Sequence, residues 1–194
     1  MAGERLVIGV DVGGTKVSVA AMREETFGTP VLRPTDSSNT EALIAQLVRQ
    51  VGQVADGDTP EAVGIGVPSV IEFATGRVRS STNIPLADVP LRTVLSERLG
   101  VPVFVDNDAT VAALAESHDD DARLAVRSLV MLTIGTGVGG GIVIDGRAFR
   151  GATGAAGEIG HALVSIDERI PPATLSRSSA WRRSDAASAS ASRT

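Results

Sequence analysis

The stretch "RLVIGVDVGGTKVSVAAM", residues 5–22, decides the fold. Two apolar runs, "RLVIGV" (5–10) and "KVSVAAM" (16–22), are rich in β-branched residues and joined by a glycine turn, the pattern of a hairpin. The turn carries more than turn chemistry. Gly13 and Gly14 allow a tight backbone path and leave N–H groups free to meet an anion. Thr15 adds a hydroxyl and Lys16 a positive charge. Asp11, at the strand end, is placed to hold a hydrated Mg2+. Alone, the segment reads equally well as an ordinary hairpin.

A second stretch breaks the tie. "SLVMLTIGTGVGGGIVIDG" (128–146) repeats the design: strand, glycine turn with a threonine, strand. Gly135, Gly137 and Gly140 match G-x-G-x-x-G, but a dinucleotide unit needs a helix after its glycines, and "GIVIDG" is a strand and a turn. Gly135, Thr136, Gly137, Gly139 and Gly140 are therefore expected to form one jaw on a polyphosphate, with "DVGGTK" as the other.

Between the loops the pattern alternates. Residues 41–55 carry Ile44, Leu47, Val48, Val51 and Val54 at helical spacing, with Asn39 or Thr40 as cap. "AVGIGV" (62–67) predicts a buried strand. Residues 89–99 predict a helix, with Asp88 as cap, Pro90 in the first turn and Gly100 just beyond the end. "VPVFV" (101–105) predicts a strand and "ATVAALAE" a helix starting near Asn107. A further helix is expected over Asp119–Arg127, and a last strand at "HALVSI" (161–166). Antiparallel strands followed by alternating strands and helices indicate an α/β protein with a mixed sheet.

"VFVDNDATVAAL" (103–114) places Asp106, Asn107 and Asp108 where a strand becomes a helix. Asp108 falls in the first turn, where the helix dipole favours its ionised form. A carboxylate held there can take a proton from an attacking hydroxyl. N-capping explains the same residues, and either Asn107 or Asp106 can cap and leave Asp108 free. Asn83 in "SSTNIPL" (80–86) suits hydrogen bonds to a polyol, though a loop asparagine is common. Glu158 and His161 in "GEIGH" (157–161) suit hydroxyl binding or half of a metal site. His118, among acidic residues at a helix end, is expected to be merely solvated.

Composition excludes several function classes. The net charge is −5 and aromatics are 3% with no tyrosine, which argues against nucleic-acid binding. No cysteine is present, so disulfides, thiol nucleophiles and thiolate metal sites are excluded. The start has no signal-peptide core, and the longest uncharged run, 128–144, is short and glycine-interrupted, so no membrane span and a cytoplasmic location are expected.

Taken in order, "DVGGTK", "GIGVPS", "STNIP", "LGVPVFVDNDATVAALAE", "GTGVGGG" and "GAAGEIGH" resemble the ROK family of repressors and sugar kinases, and within it the bacterial glucokinases. The resemblance implies an actin-like, ribonuclease-H-like fold with two lobes around a cleft. It implies ATP-dependent phosphorylation of a hexose, foremost glucose, with Mg2+. Asp108 would be the base. Asn83, Asn107, Asp108, Glu158 and His161 would hold the sugar, and the two glycine loops the ATP phosphates. Residues 1–118 would form the first lobe and 119–170 the start of the second. Free sugar and ATP are the implied partners, and family members are often homo-oligomers.

The resemblance has a limit. Family members carry a C-x-C-G-x-x-G-C-x-E cluster about ten residues after the "GEIGH" histidine, its cysteines joining that histidine, here His161, on a structural zinc. This chain has "PPATLSRSSAW" at that place and no cysteine. Residues 171–194 are rich in Ser, Ala and Arg without a period, the signature of disorder, since Leu175 and Trp181 cannot offset about 1–2 kcal/mol per ordered residue. The change reads as a frameshift near codons 167–172, leaving a truncated kinase with little or no turnover. Two other readings stand beside it: a sugar- or nucleotide-binding fragment without catalysis, and a ROK-type regulator. The acidic charge and the closeness of Asp11 to the start weigh against the regulator.

Overall fold

The computed structural model describes residues 5–24, 26–119, 121–134 and 138–161. Strands β1 (Leu6–Val12) and β2 (Lys16–Arg23) form the expected hairpin, antiparallel from Leu6↔Arg23 to Val12↔Val17. Leu6, Ile8, Val10 and Val12 are buried in alternation with Val17, Val19 and Ala21 across the pair. A one-residue slip would turn this apolar set to the other face, so the pattern itself pins the register. Two short strands, β3 (Thr26–Phe27) and β4 (Val31–Pro34), add to the other side of β2.

Helix α1 (Thr40–Ala55) then crosses to β5 (Ala62–Val67), which lies parallel beside β1. Leu43, Ile44, Leu47 and Val51 form its buried stripe. Asn39 caps it, accepting a hydrogen bond from Ala42 N at 2.9 Å. Asn39→Ala should cost about 1 kcal/mol and lower the Tm by about 2–4 °C, read by thermal unfolding. Helix α2 (Leu91–Leu99) makes the next crossover to β8 (Val103–Asn107), parallel to β5. The resulting sheet has the order β3-β2-β1-β5-β8, with β4 also on β2.

A hairpin of β6 (Ser69–Glu72) and β7 (Arg77–Ser81) leaves the sheet after β5. Helix α3 (Asp108–Glu116) follows β8 directly. It packs on a second, antiparallel sheet, ordered β11 (Arg147–Ala148), β10 (Val138–Ile144), β9 (Leu129–Ile134). Glycine makes that packing possible. A Cβ on Gly141 would strike the Ala109 carbonyl and the Ala113 methyl.

Several expectations need correction. Residues 119 and 121–127 are irregular, with one turn at Asp121 and an isolated bridge His118↔Leu124, and form no helix. Asp119 Oδ1 accepts from the backbone N–H of Asp121 and Arg123, at 3.1 and 2.8 Å, and Ala122 sits at φ +57°. A side chain that binds the local backbone in this way competes with helix formation. Asp88 does not cap α2. It has φ +61° and pairs with Arg77 at 2.8 Å, while Pro90 precedes the helix without a side-chain cap. His118 is held rather than solvated, its Nδ1 lying 2.8 Å from Leu114 O and 3.0 Å from Ser117 Oγ. His161 ends a single 3-10 turn, Ile159–His161; the rest of the strand expected at 161–166, and the segment read as disordered, lie outside the described residues. No helix among the described residues is long and apolar enough to cross a membrane.

Candidate active site

Asp11, Gly66 and Asp106 stand side by side in register near the carboxyl ends of the parallel strands β1, β5 and β8. Ligands of open α/β sheets bind outside such ends. A cleft of about 400 Å3 opens there, lined by Gly13, Gly14, Pro68, Asn83, Asn107, Asp108, Gly139, Gly140 and Glu158, among others. Residues scattered from position 13 to position 158 thus share one wall. Asp11 and Asp108 also border an adjoining space of about 350 Å3, with Gly66 between them in the lining.

The strand-to-helix junction fixes Asp108. Asn107, not Asp106, caps α3: its Oδ1 accepts from Thr110 N at 2.9 Å, and its Nδ2 donates to Ser69 O at 3.3 Å. Asp108 Oδ1 accepts from Ala109 N at 2.8 Å, and the carboxylate also takes a hydrogen bond from its own backbone N–H. Burial pushes the Asp108 carboxyl above the usual carboxylate range, and the nearby negative charge of Asp11 adds to this, against the backbone hydrogen bond from Ala109. The expected stabilisation of its ionised form by the helix N-terminus is outweighed. A raised carboxyl pKa brings a general base closer to neutral operating pH.

The first glycine loop differs in detail from the sequence reading. Gly13 N–H is not free; it donates to Lys16 O at 2.8 Å and closes the turn. The N–H groups of Gly14 and Thr15 have no acceptor among the described residues. Gly14 is needed for close approach, since a Cβ there would stand 3.3 Å from Asn83 Cβ. Thr35 braces the loop from behind, its hydroxyl donating to Gly13 O at 2.7 Å and its N–H to Thr15 O at 3.0 Å. Thr15 and Lys16 are exposed and do not line the cleft. Gly135, Thr136 and Gly137 lie outside the described residues; Gly139 and Gly140, expected in the turn, are instead paired within β10, from which they line the cleft.

Two further points concern metals. Asp11 and Asp108 border one space, and Mg2+ asks for one or two carboxylates plus water and phosphate oxygens. The donor set fits that ion. Zinc does not fit. His161 Nε2 is 3.6 Å from Glu158 Oε2, its side chain is 76% exposed, and it does not line the cleft. No group of three His, Cys, Asp or Glu comes together among the described residues, and the sequence has no cysteine to complete a tetrahedral site.

Sequence reading missed two contributors. Gly66 lets α3 dock, because a Cβ there would stand 3.3 Å from Asp108 Cα. A glycine inside the strand "AVGIGV" was the available signal. Arg150, bound to Asp106, left no such trace.

The model of the ROK family matches residues 7–174. The chain belongs to the ROK family. A glucokinase from Halalkalibacterium halodurans is 38% identical over 177 residues, 87% of this chain and 53% of that protein. A xylose repressor from Caldicellulosiruptor bescii is 37% identical over 128 residues, 66% of this chain and 31% of that protein. The crystal structure of a ROK family glucokinase from Streptomyces griseus, in complex with glucose and AMPPNP, superposes with a TM-score of 0.74 at 34% identity, covering 84% of this chain and 52% of that one. The fold is thus the actin-like fold of the ROK sugar kinases, here with a six-stranded sheet and a three-stranded sheet on either side of α3 in the chain. The ROK chain described here spans about half the length of the glucokinase it matches.

Proposed function

We propose that this ROK chain carries the sugar-binding and base-bearing part of an ATP-dependent hexose kinase, with glucose as acceptor. One observation carries the reading: Asn83, Asn107, Asp108 and Glu158 share a cleft wall with the glycines of both loops. Polar side chains hold the sugar hydroxyls while the backbone N–H of Gly14 meets a phosphate oxygen. Asp108 Oδ2 takes the proton of the attacking hydroxyl. A new O–P bond forms at the γ-phosphorus as the bond to the β,γ-bridging oxygen breaks, and ADP leaves with the electron pair. Asp11 would hold a Mg2+ ion, which would supply charge neutralisation at the phosphates. We place the lobe boundary near residue 118 and the protein's work in the cytoplasm, on free sugar and ATP.

A second reading, a binding fragment without turnover, is favoured by the outer face of β9. Val130, Leu132 and Ile134 are 64, 51 and 70% exposed, an apolar row with no cover among the described residues. Calorimetric titration with glucose and with AMPPNP, beside an ADP-release assay over glucose, N-acetylglucosamine, mannose, fructose and allose, separates the two. Binding with glucose-dependent ADP release supports the kinase. Binding without release supports the fragment. No saturable binding of glucose or of AMPPNP, with no ADP release on any sugar, overturns both.

A further inference from the structure

Of the Arg–carboxylate pairs seen among the described residues, seven have both side chains at least 34% exposed. The eighth is different. Arg150 and Asp106 are 24 and 13% exposed, and they join the two sheets. Arg150 Nη2 and Nε donate to Asp106 Oδ2 at 2.6 and 2.9 Å. The other oxygen, Oδ1, accepts from Asn107 N at 2.9 Å. One carboxylate therefore holds the residue before Asp108 on one side and an arginine of the second lobe on the other. The guanidinium carbon of Arg150 also lies 3.6 Å from the ring centroid of Phe73, beyond the end of β6. Charge-assisted bonds plus a cation–π contact make a directed connection that exposed pairs lack.

The other end of Arg150 leads to Glu158. Its carbonyl accepts from Ala156 N at 3.1 Å, and Glu158 N donates to Ala155 O at 3.3 Å. The turn has little room to shift. Gly154, at φ +79°, lies against the Ile71 carbonyl of β6, and Gly157, at φ +89°, against Gly140 O of β10.

We infer that Arg150 is a positioning residue: by clasping Asp106 and Phe73 it fixes the second lobe against the first and sets Glu158 across the cleft from Asn107 and Asp108. This rests on the sugar-kinase reading for its consequence, and on geometry alone for the clasp. A pair that merely added stability would leave the sugar site unchanged once the variant had folded.

The test has two arms. The chain contains no cysteine, so spin labels at Glu97→Cys and Arg147→Cys, both exposed, report the distance between lobes. A narrow distribution is expected, broadening in Arg150→Met and in Asp106→Asn but not in Arg127→Met, which removes an exposed pair. An unchanged distribution in folded Arg150→Met overturns the clasp, whether or not the protein binds sugar. In the second arm, Arg150→Met weakens glucose binding by about tenfold. The Arg150→Met/Asp106→Asn double variant is no weaker than the single one, and Arg150→Lys recovers part of the loss. Normal glucose affinity in Arg150→Met with a broadened distance would reduce the clasp to a structural brace and overturn the positioning role. If the unsubstituted chain binds no glucose, the kinase reading fails and the distance arm alone decides the clasp.

Discussion

Asp108→Asn should lower phosphoryl transfer to glucose by about 10²–10⁴-fold, with glucose affinity changed far less. The substitution keeps size and the oxygen that accepts from Ala109 N, and the cap of α3 belongs to Asn107. What it removes is the ionisable group that Asp108 brings to the cleft wall. Since the unsubstituted base works when deprotonated, its rate should fall on the acid side at a higher pH than an ordinary carboxylate would give, because burial raises the Asp108 pKa. Turnover that survives intact in Asp108→Asn would remove it from the chemistry.

The same variant has a readout that needs no turnover. The folded-state pKa of Asp108 lies above its unfolded value, so the folded chain binds more protons in the window between them. Stability falls as pH rises through that window, and at pH 7 the ionised carboxylate is destabilising. Asparagine has no charge to bury. The Tm of Asp108→Asn should therefore exceed that of the unsubstituted chain at pH 7, with the difference shrinking as pH falls through that window and gone below about pH 4. A stabilising substitution that abolishes activity is the expected mark of a group held at a functional site against the preference of the fold.

The β1–β2 hairpin with its glycine turn, α1, β5, β8 and β9 were legible because their signals are local, whereas the short strands β3, β4, β6 and β11 carry too brief a pattern to read. Period-two alternation marks β1 and β2, and Asn39 followed by an apolar stripe marks α1. Asp108 was legible as a position, since a strand running into "DNDATVAAL" puts it in a first turn, yet its protonation tendency was not. That depends on burial and on Asp11, ninety-seven positions away in the chain. The helix expected at 119–127 failed because Asp119 satisfies backbone donors with its side chain, a choice that helical spacing does not reveal. Arg150 was invisible for the same reason in stronger form. Its partners Asp106 and Phe73 become neighbours only when two sheets meet.

Gly141→Ala should be strongly destabilising, and Gly52→Ala should have the opposite sign. Gly52 is an exposed residue inside α1, and a Cβ there meets nothing within 4 Å. Alanine relieves glycine's entropic cost in a helix, for a gain of about 0.5–1 kcal/mol. Gly141 faces α3, and its added Cβ would fall on the Ala109 carbonyl oxygen and the Ala113 methyl. Neither is the flexible end of a long side chain, so helix and strand must separate. Overpacking of this kind costs about 1–3 kcal/mol and sometimes more. Displacement also reaches the site, because Ala109 follows Asp108 and supplies the N–H that holds its carboxylate. Gly141→Ala should therefore lose glucose binding along with Tm, whereas Gly52→Ala gains Tm by about 1–4 °C and binds glucose normally. Equal glucose affinity in both variants would mean that α3 need not sit tightly on β10 for the cleft to form. The base would then be positioned from β8 and the Asn107 cap alone.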